Sequence, residues 1–109
     1  MVKLTCIFYT TDSGNEPVRD WLMELKAVDR RKLGFEIHSV QMGWPVGMPL
    51  VKKLEEGVWE VRVNIEDGIA RVLFTVEGNT MILLHGFIKK TQKIAEKELA
   101  VARERLKTL

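Results

Sequence analysis

Two arginines of this chain have a type and a spacing that could do chemistry together. Alternation with period two places Arg62 and Arg71 on one face of a predicted β-hairpin. With Asp67-Gly68 as its turn, the two arginines lie within one or two residues of being opposite. Like charges so placed repel, and planar guanidinium groups match phosphate geometry, so the pair indicates a phosphodiester ligand on an open face. The alternative is that Glu60 and Asn64 solvate the pair on an ordinary polar face.

Lysines flank the arginine pair in the sequence. One group enters the strand that carries Arg62, and another follows the last predicted strand; they are Lys52, Lys53, Lys89, Lys90 and Lys93. Basic groups around an open sheet face suit an RNA backbone, because phosphate contacts supply most of the non-specific affinity. The alternative is a solvated lysine run between a strand and a helix.

A histidine in the last predicted strand is the candidate for proton transfer, because the ordinary pKa of histidine lies near neutrality. With Gly78-Asn79 as a two-residue turn, His85 falls on the apolar face beside Val72 and Phe74. That register favours a buried core histidine, whereas a one-residue bulge would reverse its face.

Metal and cofactor chemistry find little support in the sequence. Cys6 is the only cysteine, and with His38 and His85 it forms no ligand cluster of the zinc type. No acidic pair has the spacing of a metal-dependent nuclease. We therefore expect no metal and no cofactor, and we assign Cys6 no role.

Composition limits the chain to one domain. It has 109 residues, 46% hydrophobic and 29% charged, so we treat 1–109 as a single globular unit. The net charge is +2, with six basic and six acidic side chains in residues 1–50 and eleven and nine in residues 51–109. The lack of a signal peptide, a transmembrane run or a possible disulfide predicts a cytoplasmic protein without a membrane partner.

The elements that position these residues follow from periodicity. We expect a strand at 3–9, a helix from Pro17, a second helix from about Asp29, three strands between 58 and 88, and a last helix at 94–106. The hairpin presents one apolar face, formed by Trp59, Val61, Val63, Ile65, Ala70, Val72, Phe74 and Val76. The prediction is a two-layer α+β domain, βααβββα, with a mainly antiparallel four-stranded sheet and its helices mainly on one face.

Four motifs in the second half resemble one family. They are Pro-Leu-Val-Lys-Lys-Leu at 49–54, Val-Trp-Glu-Val-Arg at 58–62, Ala-Arg-Val-Leu-Phe at 70–74 and Leu-Leu-His-Gly-Phe-Ile-Lys-Lys-Thr-Gln-Lys at 83–93. Their residues and order are similar to the phage-derived HigB-like toxins of the RelE/ParE superfamily. Pro-Val-x-x-Trp-Leu at 17–22 extends the resemblance. The chain departs from the family at Ile94-Ala95, where Thr-Pro is common, and it lacks the C-terminal tyrosine of some relatives.

The resemblance implies a RelE-like fold and the toxin of a type II toxin–antitoxin system. Such toxins are metal-independent endoribonucleases that cleave mRNA, usually on the ribosome, and so inhibit translation. A cognate helix-turn-helix (HigA-like) antitoxin neutralises them. On this basis Arg62 and Arg71 would clamp the phosphate, Lys89, Lys90 and Lys93 would hold RNA, and His85 would transfer a proton.

Two other functions stay open at this point. The chain could be a non-catalytic RNA- or protein-binding relative, such as a phage accessory factor or an inactive toxin. It could also be an interaction domain whose only partner is a helix-turn-helix protein.

Overall fold

The fold is a single sheet with helices packed on it. The computed structural model describes residues 4–90 and 94–109, and this part contains three helices and five strands. They are β1 (Thr5–Phe8), α1 (Pro17–Glu24), α2 (Ala27–Gly43), β2 (Val51–Glu55), β3 (Val58–Ile65), β4 (Gly68–Glu77), β5 (Thr80–Lys89) and α3 (Glu96–Lys107). The strand order is β1-β5-β4-β3-β2.

The two-layer α+β class is confirmed, but the predicted four-stranded sheet is wrong. β1 runs parallel to β5 and the other pairs are antiparallel, so the sheet is mixed and five-stranded. The additional strand, β2, is a short edge strand with exposed Lys52 and Lys53, and this pattern carries no alternation to detect. The first strand pairs with β5, with Thr5 opposite Thr80.

One side of the sheet, the α1–α2 face, carries the larger core. Val18 of α1 is buried there, together with an apolar stripe of α2 formed by Leu33, Ile37 and Val40. The sheet contributes all eight predicted apolar residues, either buried or packed against that core: Trp59, Val61, Val63, Ile65, Ala70, Val72, Phe74 and Val76. The predicted apolar face of the hairpin is therefore confirmed.

The opposite side, the α3 face, has its own smaller core. Leu99 and Ala102 of α3 pack with residues such as Leu73, Leu84 and Phe87. The helices are thus divided, with two on the first face and α3 on the face that the sequence predicted to be open.

The β3–β4 hairpin turns at Glu66-Asp67 rather than at Asp67-Gly68. Ile65 lies opposite Gly68, whose φ of +144° is a conformation that favours glycine. The register differs from the predicted one by two residues and places Arg62 directly opposite Arg71. A shift of two residues keeps every side chain on its predicted face, so the pairing of the arginines survives.

Helix α1 is seated on β5 through a tryptophan and a glycine. A Cβ atom added at Gly86 would lie 2.4 Å from a ring carbon of Trp21. Only a residue without a side chain permits this approach, so Gly86 fixes the depth at which α1 packs on the sheet.

Candidate functional site

The centre of the site is a carboxylate shared by two arginines. Arg71 donates from Nη1 to Glu60 Oε2 over 3.0 Å, and Arg62 Nε lies 3.4 Å from Glu60 Oε1. Glu60 therefore offsets the repulsion between the two guanidinium groups, as the alternative interpretation of the pair required. We call these three residues the Arg–Glu–Arg cluster.

The members of the Arg–Glu–Arg cluster differ in their access to solvent. The side chain of Arg71 is 2% exposed and that of Glu60 is 1% exposed, whereas Arg62 is 16% exposed. The prediction that both arginines lie on an open face is wrong for Arg71, because its side chain is buried on the face that also carries α3. Arg62 is thus the arginine of the cluster that a ligand can reach.

His85 lies on the α3 face and not in the core where the sequence register placed it. A bulge separates the pairs Leu73 to His85 and Phe74 to Leu83, and the extra residue in β5 reverses the face of the ring. His85 Nε2 lies 2.9 Å from Glu98 Oε1 of α3, and both side chains are 17% exposed. Because a carboxylate only accepts hydrogen bonds, Nε2 carries a proton in this contact.

The bulge is held by further contacts on the α3 face. The ring of His85 stacks on that of Phe87 with centroids 5.3 Å apart. Arg105 of α3 donates from Nη1 to the carbonyl oxygen of Leu84 over 2.7 Å. Burial lowers the pKa of Arg105 from its ordinary value. Helix α3 therefore contacts both β5 residues at the bulge, Leu84 through Arg105 and His85 through Glu98.

The lysines are divided between the two faces. Lys52 lies opposite Glu60 and Lys89 opposite Ile69, so both belong to the α3 face. Lys53 lies opposite Trp59 on the α1–α2 face, and its Nζ is 5.7 Å from the centroid of that ring. The predicted placement of Lys53 beside the arginines is therefore wrong, because neighbouring residues of a strand point to opposite faces.

Two other predicted lysines, Lys90 and Lys93, follow β5 in the sequence. Lys90 is exposed just after the strand. Lys93 lies outside the described residues. The structure thus brings together Lys52, Arg62, Arg71, His85 and Lys89 on one face of the sheet.

A groove of about 400 Å³ adjoins Arg62 at the free edge of β3. Its lining residues are Lys32, Glu36, Pro49, Leu50, Arg62, Val63, Asn64 and Ile69. Sequence reasoning missed this groove because α2 supplies part of it through tertiary packing. The one sign in the sequence that α2 lines this groove is that Glu36 lies off the apolar stripe of α2.

Cys6 is the one cysteine of the chain, and its thiol is free and partly buried. Burial raises the pKa of the Cys6 thiol to about 11, which makes it a poor nucleophile at neutral pH. Within residues 4–90 and 94–109, no three His, Cys, Asp or Glu side chains come close enough to hold a metal ion. In the same part of the chain, no helix is both long and apolar enough to cross a membrane.

The fold and the site define a small α+β domain with a basic cluster on one sheet face. Residues 20–107 match the model of the family described as Phage derived protein Gp49-like (DUF891), and the chain belongs to that family. This family is one of the RelE/HigB-like toxin–antitoxin families. No curated protein matches the chain.

Proposed function

We propose that this protein is the toxin of a type II toxin–antitoxin system and a metal-independent endoribonuclease that cleaves mRNA, on the ribosome, in the cytoplasm. The observation that carries the proposal is the Arg–Glu–Arg cluster, whose member Arg62 is accessible on the sheet. Membership of the Gp49-like family supports the same proposal. RNA is the substrate that the surrounding lysines of the α3 face favour.

The proposed reaction is an internal transesterification. The ribose 2′-hydroxyl loses its proton to water as its oxygen attacks the adjacent phosphorus. The bond to the 5′ oxygen breaks, this oxygen takes up a proton, and the products are a 2′,3′-cyclic phosphate and a 5′-hydroxyl. Arg62 binds the phosphate oxygens and stabilises the negative charge that develops on them. Buried Arg71 acts through Glu60, whose carboxylate holds the guanidinium of Arg62 in place.

His85 is the proposed proton-transfer group. It belongs to β5 and Arg62 to β3, so the two strands are separated by β4 and lie about 10 Å apart. Glu98 accepts from Nε2 and so orients the ring, and in this scheme the other ring nitrogen, Nδ1, of the protonated imidazole gives its proton to the departing 5′ oxygen.

The test compares two basic-to-alanine variants that lie on opposite faces. Arg62→Ala is expected to lose RNA cleavage by about 10²-fold or more, because one preorganised charge-stabilising donor is removed. Lys53→Ala is the matched control, since Lys53 lies on the α1–α2 face, and it should retain cleavage. Both are purified, checked for folding by circular dichroism, and assayed with ribosome-bound mRNA. Wild-type cleavage by Arg62→Ala would refute the proposed role.

The second candidate is a non-catalytic RNA- or protein-binding member of the same family. This candidate is favoured because two of the proposed site residues already have carboxylate partners within the protein. Arg71 is paired with Glu60, and His85 with Glu98. Product analysis separates the two candidates. A 2′,3′-cyclic phosphate end supports the enzyme, whereas saturable RNA binding without cleavage, with ribosomes present, supports the binding protein.

A helix-turn-helix antitoxin is the proposed protein partner. Inducible expression of the toxin should stop translation, and co-expression of a helix-turn-helix protein from a neighbouring reading frame should restore it. Binding of the helix-turn-helix protein without any effect of the expressed chain on translation would instead favour an interaction domain.

A further inference from the structure

We propose that the groove beside Arg62 binds one base of a single-stranded RNA and prefers guanine. The inference rests on the proposed function, because it places this base next to the phosphate that Arg62 holds. The groove lies where β3 extends beyond its neighbour β2. Val51 pairs with Val61, the amide of Arg62 donates to the carbonyl oxygen of Leu50, and Asn64 lies past that point.

The dimensions of the groove suit a nucleotide. Its volume of about 400 Å³ lies in the range of small-molecule sites. Leu50 and Ile69, both half-buried, provide apolar surface for the face of a base. A flat aromatic ligand is therefore better matched to this lining than an extended aliphatic one.

Two polar side chains at the groove provide the means to read a base edge. Glu36 is half-buried and its carboxylate only accepts hydrogen bonds. Asn64 both donates and accepts, through its amide. Guanine presents two adjacent donors, N1–H and N2–H, to a carboxylate, whereas adenine presents an acceptor at N1. Glu36 therefore favours guanine over adenine.

The edge of β3 is poorly suited to pairing with a strand of another protein. Lys32 donates from Nζ to the carbonyl oxygen of Asn64, which occupies a backbone acceptor on that edge. A lysine placed there blocks edge-to-edge pairing in the usual way. The groove consequently favours a ligand that is read by side chains.

The experiment is a titration of the ¹⁵N-labelled full-length protein with the four ribonucleoside 5′-monophosphates and, separately, inorganic phosphate. We expect guanosine monophosphate to bind at least about fivefold more tightly than adenosine monophosphate, with shifts centred on Glu36, Asn64 and Ile69. Glu36→Gln should weaken guanosine monophosphate about tenfold and leave phosphate binding unchanged. The control is Glu24→Gln, an exposed carboxylate in α1, which should bind like the wild type.

Three outcomes would overturn the inference: equal binding of the four nucleotides, the same shifts with phosphate alone, or shifts outside the groove. Its failure is distinguishable from that of the proposed function. Nucleotide binding by a protein that does not cleave RNA refutes the nuclease and retains the groove. Cleavage whose sequence preference is unaltered by Glu36→Gln refutes the groove and retains the nuclease.

Discussion

The shared carboxylate of the Arg–Glu–Arg cluster yields the sharpest test of the structure. Glu60→Gln keeps the shape of the side chain but removes its charge. Arg62 and Arg71 then face each other across β3 and β4 with no carboxylate between them from this position. The perturbation therefore probes whether the buried charge of Glu60 holds the hairpin together.

The expected loss of stability follows from the burial of the pair. Arg71 and Glu60 are 2% and 1% exposed, so solvent cannot replace the missing charge. Breaking one partner of a buried ion pair costs roughly 3–5 kcal/mol. We expect about 3 kcal/mol, at the lower end, because the glutamine carbonyl still accepts from Arg71. For a domain of this size that loss lowers Tm by about 12 °C.

The assay is thermal unfolding followed by circular dichroism, together with urea unfolding at one temperature. Glu77→Gln is the matched control, because Glu77 is an exposed carboxylate at the end of β4. A double-mutant cycle with Arg71→Met should give a coupling of about 2 kcal/mol between positions 60 and 71. A Tm for Glu60→Gln within about 2 °C of the wild type would refute the assigned role of the carboxylate.

Two further predictions concern packing and pH. Gly86→Ala should destabilise the protein by about 2 kcal/mol, because its Cβ would overlap the ring of Trp21. Gly34→Ala in α2 has free space for its Cβ and should stabilise the protein by about 0.5 kcal/mol. Urea unfolding measures both changes. Hydrogen bonds from Arg103 lower the pKa of the Glu55 carboxyl, so this pair stabilises the fold above the ordinary value of 4.5 and the effect is lost as the pH falls through the lowered pKa. The difference in unfolding free energy between wild type and Arg103→Gln should therefore shrink from pH 7 towards pH 3, and a constant difference would contradict this prediction.

How far the sequence predicts this fold depends on the kind of pattern each element carries. The apolar face of the hairpin is predictable because alternation survives a register error of two residues. β2 is not, because an exposed edge strand with adjacent lysines has no buried face to reveal it. The face of His85 is not predictable either, because β5 is apolar on both sides and its bulge breaks no local pattern.

In the candidate site, the sequence predicts which residues share a face but not how deeply each one is buried. Arg62 and Arg71 are of one residue type and lie opposite each other, so strand register alone treats them as equivalent. Packing separates them, because β4 lies between two neighbours along its length whereas β2 leaves the far end of β3 uncovered. A pair that the sequence suggests as a symmetric clamp is therefore asymmetric. In the proposed function Arg62 meets the phosphate, and Arg71 acts through Glu60 to hold the guanidinium of Arg62 in place.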